Sequence, residues 1–97
     1  MTTTAQPRDL AADTAITKLQ AAPGWYTAEL GSEWDFRSPS GGVLMAIAMR
    51  AMQAELDNPD FRPVSANTHF CSPVPAGPLA IRVEVLRQGG AAAQLRA

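Results

Sequence analysis

Four stretches of the chain carry a readable pattern of apolar and polar positions. Residues 25–30 alternate, with Tyr26, Ala28 and Leu30 on one side and Trp25, Thr27 and Glu29 on the other. A period of two marks a strand that buries one face. Residues 64–74 also alternate: Val64, Ala66, Thr68 and Phe70 face one way, Ser65, Asn67, His69 and Cys71 the other. Residues 79–87 read as the cleanest strand, with Ile81, Val83 and Val85 set against Arg82 and Glu84, and Arg87 shortly after. The fourth stretch differs in kind. Val43-Leu44-Met45-Ala46-Ile47-Ala48-Met49 is apolar without interruption and follows Ser38-Pro39-Ser40-Gly41-Gly42. A helix apolar on every face is normally buried on every face. A polar stripe enters late, at Arg50, Gln53 and Asp57, which share a face by their spacing. The pattern predicts a central helix over 42–56, wrapped in its first half and reaching solvent in its second. From Val43 to Leu56 it would span roughly 21 Å at 1.5 Å per residue, about the length of a strand, so a sheet can curl around it.

Breakers and turns supply the rest. Thr and Ile over residues 15–20 predict a short strand, and Ala21-Ala22-Pro23-Gly24 turns it into the strand at 25–30 as a hairpin. Glu33, Trp34, Asp35 and Phe36 form a connection to the helix. Asn58-Pro59-Asp60 ends that helix, because proline cannot continue the ladder. Residues 73–78 read as a proline-rich loop, and Gln88-Gly89-Gly90 as a hairpin turn into a last strand at 91–97. Residues 1–12 are small and polar and read as a loose arm with at most a helical turn. The final strand shows no cap, turn or polar tail, so the expectation is that the chain stops mid-element, as a fragment.

Composition narrows the function classes. The 97 residues suit one small domain, and 46% hydrophobic content is enough for a core. Eight basic against nine acidic residues are scattered without a basic block, so the electrostatic footprint of a nucleic-acid binder is missing. No signal pattern opens the chain and no apolar run approaches a membrane span. The single cysteine, Cys71, excludes an internal disulfide framework and fits a reducing compartment; the expected location is cytoplasmic.

Several residues have chemical potential, and each has a plainer reading beside it. Ser40-Gly41-Gly42 and Val43 open the helix, where free backbone N–H groups and the helix dipole favour negative charge. A thioester carbonyl polarised by the Gly42 or Val43 N–H is one use of that position. Simple capping by Ser40, with glycines for close packing, is the other. Asp35 is placed to act as a base for water or as a nucleophile, but aspartate is also common in turns. His69, the only histidine, is the first candidate for acid–base or binding work near neutral pH; a lone strand histidine is usually structural or exposed. Cys71 has no neighbour to lower its pKa. One His and one Cys cannot build a tetrahedral metal site, and nothing calls for a cofactor. Met45, Met49 and Met52 can line an adaptable acyl tunnel or simply pack a core.

The order hairpin, loop, long buried helix, antiparallel strands is that of an α+β hot-dog fold. Trp34-Asp35-Phe36, Pro39-Ser40-Gly41-Gly42-Val43-Leu44 and Ala48-Met49-Arg50-Ala51 resemble the start of the first hot-dog helix in the acyl-CoA thioesterase II-like (TesB-like) family. Residues 64–78, with Phe70-Cys71-Ser72-Pro73, resemble that family's strand ending in a Phe-x-x-Pro turn, and 83–90 its next hairpin. The usual Asn before the glycine pair is Ser40 here. The resemblance covers residues 13–97 and implies a partial hot-dog, the first of two repeats, C-terminally incomplete. It further implies an acyl-CoA thioester substrate and pairing with a second repeat or a second copy. The family's catalytic Asp, Thr and Gln lie in the second repeat, outside this chain. Two functions follow as expectations: hydrolysis of acyl-CoA thioesters by the protein of which this is part, or a non-catalytic hot-dog module for acyl binding and subunit pairing. A hot-dog dehydratase ranks last, since it needs a helix or loop histidine beside an acid and His69 lies in the predicted strand.

Overall fold

The computed structural model describes residues 9–31, 41–72 and 74–97. The chain runs α1 (Leu10–Asp13), β1 (Ile16–Lys18), β2 (Trp25–Leu30), α2 (Gly41–Leu56), β3 (Gly77–Arg82), β4 (Glu84–Gln88) and β5 (Ala93–Arg96). The described residues form an α+β arrangement with two antiparallel sheets, one of three strands in the order β1-β2-β3 and one of two, β4-β5.

The N-terminal hairpin forms as its pattern predicts, with Ile16 opposite Ala28 and Lys18 opposite Tyr26. Ala22 and Gly24 make its turn, and Gly24 takes a φ of 82°, a region closed to most L side chains. β2 is the middle strand, and Tyr26, Ala28 and Leu30 are all buried beneath α2. β3 pairs with it in continuous register, Tyr26 against Ile81 and Ala28 against Leu79, so these side chains share the buried face. The opposite face carries Trp25, Thr27 and Glu29, as the alternation predicts.

α2 begins at Gly41 and ends at Leu56. Asp57 closes it at a φ of 48°, a left-handed position that aspartate tolerates better than most residues, with its N–H donating to the Gln53 carbonyl at 3.0 Å. The expectation of a helix wrapped on every side is corrected here. Val43, Ile47 and Ala51 are buried, one stripe at i, i+4 and i+8, whereas Leu44, Met45, Ala46, Ala48 and Met49 are half-buried. Three strands cover one side of a helix and leave its flanks partly open. The polar stripe is as expected at its exposed positions Arg50, Gln53 and Asp57.

Two predicted strands change. Residues 61–72 form no regular element, and the stretch 62–72 is exposed throughout; among the described residues no neighbouring strand offers it a ladder. The single strand expected over 79–87 divides at Val83. The Val83 N–H donates to the Gly24 carbonyl at 2.7 Å, which uses up the last residue of the β1–β2 hairpin. Past that point the chain has nothing left to pair with in the first sheet and takes β5 as partner. Glu84 then faces Arg96, and Val85 faces Leu95, with a bulge between Val85 and Arg87. The predicted loop at 73–78 also gives up its last two residues, since Gly77 and Pro78 belong to β3. β3 is an edge strand, where proline's missing N–H is tolerated. The Gly89-Gly90 hairpin and the strand at 93–96 form as expected.

The core has two adjoining parts. Ala28, Leu30, Val43 and Ile47 make one, with Leu79 packed on it; Tyr26, Ala51 and Val83 make the other, with Met52 and Leu95 packed on it. At the N-terminal side, Asp9 caps α1 through its side chain, and Arg50 donates to the Ala11 carbonyl and the Thr14 hydroxyl, tying α1 to α2. No helix among the described residues is long and apolar enough to cross a membrane.

Candidate functional site: the open flank of α2

The two core clusters fix the relative direction of α2 and β3. Leu79 packs on the cluster that holds Val43 and Ile47, and Val83 belongs to the cluster that holds Ala51, so helix and strand run the same way. Along their open side lies a groove of about 260 Å³. Leu44, Ile47 and Ala48 form its helical wall; Leu79 and Ile81 form its strand wall. Val74, Ala80, Arg82 and Ala97 complete the lining, Ala80 and Arg82 standing opposite Thr27 and Trp25 on the alternate positions of β3. The groove exists because β3 is an edge strand and Leu44 and Ala48, i and i+4, lie just off the buried stripe. The flank that the sheet leaves uncovered is therefore apolar and concave.

Gly41, Gly42 and Val43 form the first turn of α2, one turn from Leu44. Their N–H groups have no intrahelical acceptor. Gly42 is exposed and Val43 buried. Gly41 has a packing role as well: a Cβ there would sit 2.8 Å from Cζ of Phe70, so the ring tip rests where a side chain would be. The close packing that glycine permits is against Phe70 of the exposed segment, not against the sheet. Asp35 and Ser40 lie outside the described residues. His69 is exposed on the same segment as Phe70 and is not part of the groove wall. Cys71 is exposed, its thiol 3.9 Å from the His69 carbonyl. Among the described residues no group of three or more His, Cys, Asp or Glu side chains could hold a metal ion. Met52 packs on the second core cluster.

Two polar features escaped the sequence. The Tyr26 hydroxyl donates to Glu55 Oε1 at 2.8 Å, and burial, then Glu55, push its pKa up to about 12. Glu84 accepts from Arg96 at 2.8 Å and lies 3.9 Å from Arg82; the Arg96 hydrogen bond and charge hold its carboxyl below the usual range. Neither pairing has a local sequence signal, because the partners are 29 and 12 residues apart.

A family model described as acyl-CoA thioesterase N-terminal domain matches residues 30–97. The chain belongs to this family. The match begins at the last residue of β2 and takes in α2, the exposed segment and every later strand, so all of the groove's walls fall inside the thioesterase domain. Membership suggests an acyl-CoA thioesterase-type function, and it agrees with the resemblance seen in the sequence. No curated protein and no solved structure gives a match.

Proposed function

We propose that this thioesterase domain is the first half of a double hot-dog and binds acyl-CoA thioesters for hydrolysis, with the acyl chain in the α2–β3 groove. The observation that carries the reading is the placement of an apolar groove one turn from the N-terminus of α2, within a domain of the acyl-CoA thioesterase family. The thioester carbonyl would accept from the Gly42 or Val43 N–H, where the dipole favours the charge that develops on oxygen. Water would attack the carbonyl carbon and lose a proton to a base, the C–S bond would break, and the thiolate of CoA would take up the proton. Asp35 is the candidate base within the chain, and Ser40 and His69 are candidates for contacts to the head group.

A second reading is supported by the groove's lining. None of its described lining side chains is a carboxylate, hydroxyl or imidazole, which favours a domain that binds the acyl group while a second hot-dog supplies the reacting residues. One experiment separates the two. The protein is incubated with octanoyl-CoA, free CoA is followed with a thiol reagent, and binding is followed by calorimetry. Thiol release that falls at least a hundredfold in Asp35→Asn, with binding retained, supports hydrolysis by this chain. Binding without release supports the acyl-binding module. Absence of binding overturns both.

A further inference from the structure

We propose that this groove takes acyl groups of medium length, about eight carbons, and that Ala48 sets the limit. This rests on the thioester reading above and deepens it by naming the substrate class.

Because α2 and β3 run the same way, a thioester held at Gly42 or Val43 lays its acyl chain along Leu44 and Leu79 toward Ala48 and Ile81, which line the same groove. Leu44, Ala48 and Met52 stand at i, i+4 and i+8 and so form one row on the helix. The row holds one small residue between two long ones. Leu44 and Ala48 line the groove, whereas Met52 packs on the cluster of Tyr26, Ala51 and Val83. The helical wall therefore ends at Ala48, and Met52 stands across its far end.

The length of that wall sets the length of the acyl chain. From Gly42 or Val43 to Ala48 the helix rises about 7–9 Å at 1.5 Å per residue. On the strand side, Leu79 to Ile81 spans about 7 Å, so the two walls run for a similar distance. An extended chain advances about 1.2 Å per bond, as a polypeptide does over the three bonds of each residue. The rise to Ala48 thus holds about six or seven bonds beyond the carbonyl carbon, a chain of about seven or eight carbons. Ala48 is also the position at which this length can be reset. It is half-buried, whereas Ile47 is buried in the core and Leu79 and Ile81 pack against it. A long helical side chain lies back over the turn N-terminal to its own Cα. In Ala48→Leu the new side chain would therefore lie toward Leu44 and fill the groove, and in Met52→Ala the far end would open.

The test uses non-hydrolysable analogues of butanoyl-, octanoyl- and dodecanoyl-CoA, with a methylene set between sulfur and carbonyl. Each is titrated calorimetrically into the wild-type chain, A48L and M52A, after melting curves have shown that the variants fold. In wild type the octanoyl analogue should bind at least about tenfold more tightly than the butanoyl one, since each buried methylene adds affinity. The dodecanoyl analogue should stay within about twofold of the octanoyl one, its tail lying past the groove. A48L should cost the octanoyl analogue about tenfold and leave the butanoyl analogue unchanged. M52A should raise the dodecanoyl affinity about threefold or more relative to the octanoyl. Affinity that climbs steadily to dodecanoyl in wild type overturns the proposal, as does A48L weakening all three analogues alike or none. A folded M52A with the wild-type ratio of dodecanoyl to octanoyl affinity also overturns it. If loss of the Met52 packing unfolds M52A, the wild-type series and A48L still decide. Failure of all three analogues to bind wild type instead brings down the thioester reading beneath the proposal.

Discussion

β2 and the segment 62–72 hold their side chains in opposite ways. In β2 every second residue is buried, Tyr26 to 0% and Leu30 to 1% exposure, with β1 on one edge, β3 on the other and α2 across the face. In the segment every residue is exposed, Val64 at 97%, and the ring of Phe70 lies against Gly41. The comparison teaches that burial belongs to the neighbours a strand acquires, not to the strand. Fully burying an aliphatic or aromatic side chain contributes roughly 1.5–3 kcal/mol. β2 collects that contribution at alternate positions, and the segment collects almost none.

The hardest test of the comparison sets a residue of α2 that packs on β2 beside one from the segment. Ile47 is 1% exposed at the centre of the first core cluster, directly over β2. Ile47→Ala should cost about 2–5 kcal/mol, the removed methylenes plus the cavity they leave. Val64→Ala should stay within about 0.5 kcal/mol, as for an ordinary surface change. Urea denaturation followed by far-UV circular dichroism measures both. If V64A proves as costly as I47A, the segment is buried in solution and the contrast fails.

The two glycines that the regions use make a smaller and more selective test. Gly24 ends the turn before β2 at a φ of 82°, and a Cβ there would meet the Val83 carbonyl oxygen at 2.9 Å. Both the dihedral and the obstructing atom belong to backbone, so neither can yield cheaply. Gly24→Ala should destabilise by about 1–3 kcal/mol and disturb the passage from the first sheet to the second. Gly41→Ala is the counterpart. Its obstructing atom is the far end of the half-exposed Phe70 side chain, which can swing away, while alanine gains helix propensity over glycine. G41A should therefore be neutral or stabilising by up to about 1 kcal/mol. Thermal melts of the two variants moving in the same direction would show that Phe70 is as firmly held as the Val83 backbone.

How far the sequence revealed this architecture can be judged element by element. The β1–β2 hairpin, the span of α2 and the Gly89-Gly90 turn were legible because their signals are local: alternation, an apolar run, and turn residues at fixed places. The fate of 64–74 was not, because alternation states that a face can be buried and says nothing about whether a partner strand is there. The break at Val83 was hidden for a related reason. Ile81, Val83 and Val85 alternate without fault, and it is the length of the opposing hairpin, ending at Gly24, that forces the change of partner. The same logic applies to the site. The opening of α2 at Gly41, Gly42 and Val43 could be read directly, whereas the groove beside it depends on β3 being an edge. Asp35 and Ser40 lie outside the described residues.

The finest probe of the β2 side is the hydroxyl of Tyr26. The phenol is buried and donates to Glu55 Oε1 at 2.8 Å. Tyr26→Phe keeps the ring and removes the hydrogen bond; Glu55 is half-buried and can turn to water, so the loss should be the ordinary net value of about 0.5–1.5 kcal/mol. The pH dependence gives this small effect a signature. Burial first, then the Glu55 hydrogen bond and the charges of Glu55 and Asp57, raise the phenol from 10.0 to about 12. A raised pKa means that folding favours the protonated form. Its contribution is therefore complete below pH 10 and declines as pH climbs from there through about 12. The stability gap between wild type and Y26F should stay constant up to about pH 10 and shrink above it, with effects of other groups common to both proteins and cancelling. Because the chain has one tyrosine, tyrosinate absorbance reports this residue alone. Titration of the folded protein at the ordinary value of 10.0 would mean that water reaches the Tyr26 hydroxyl, and that the best-covered strand is covered only over its hydrocarbon.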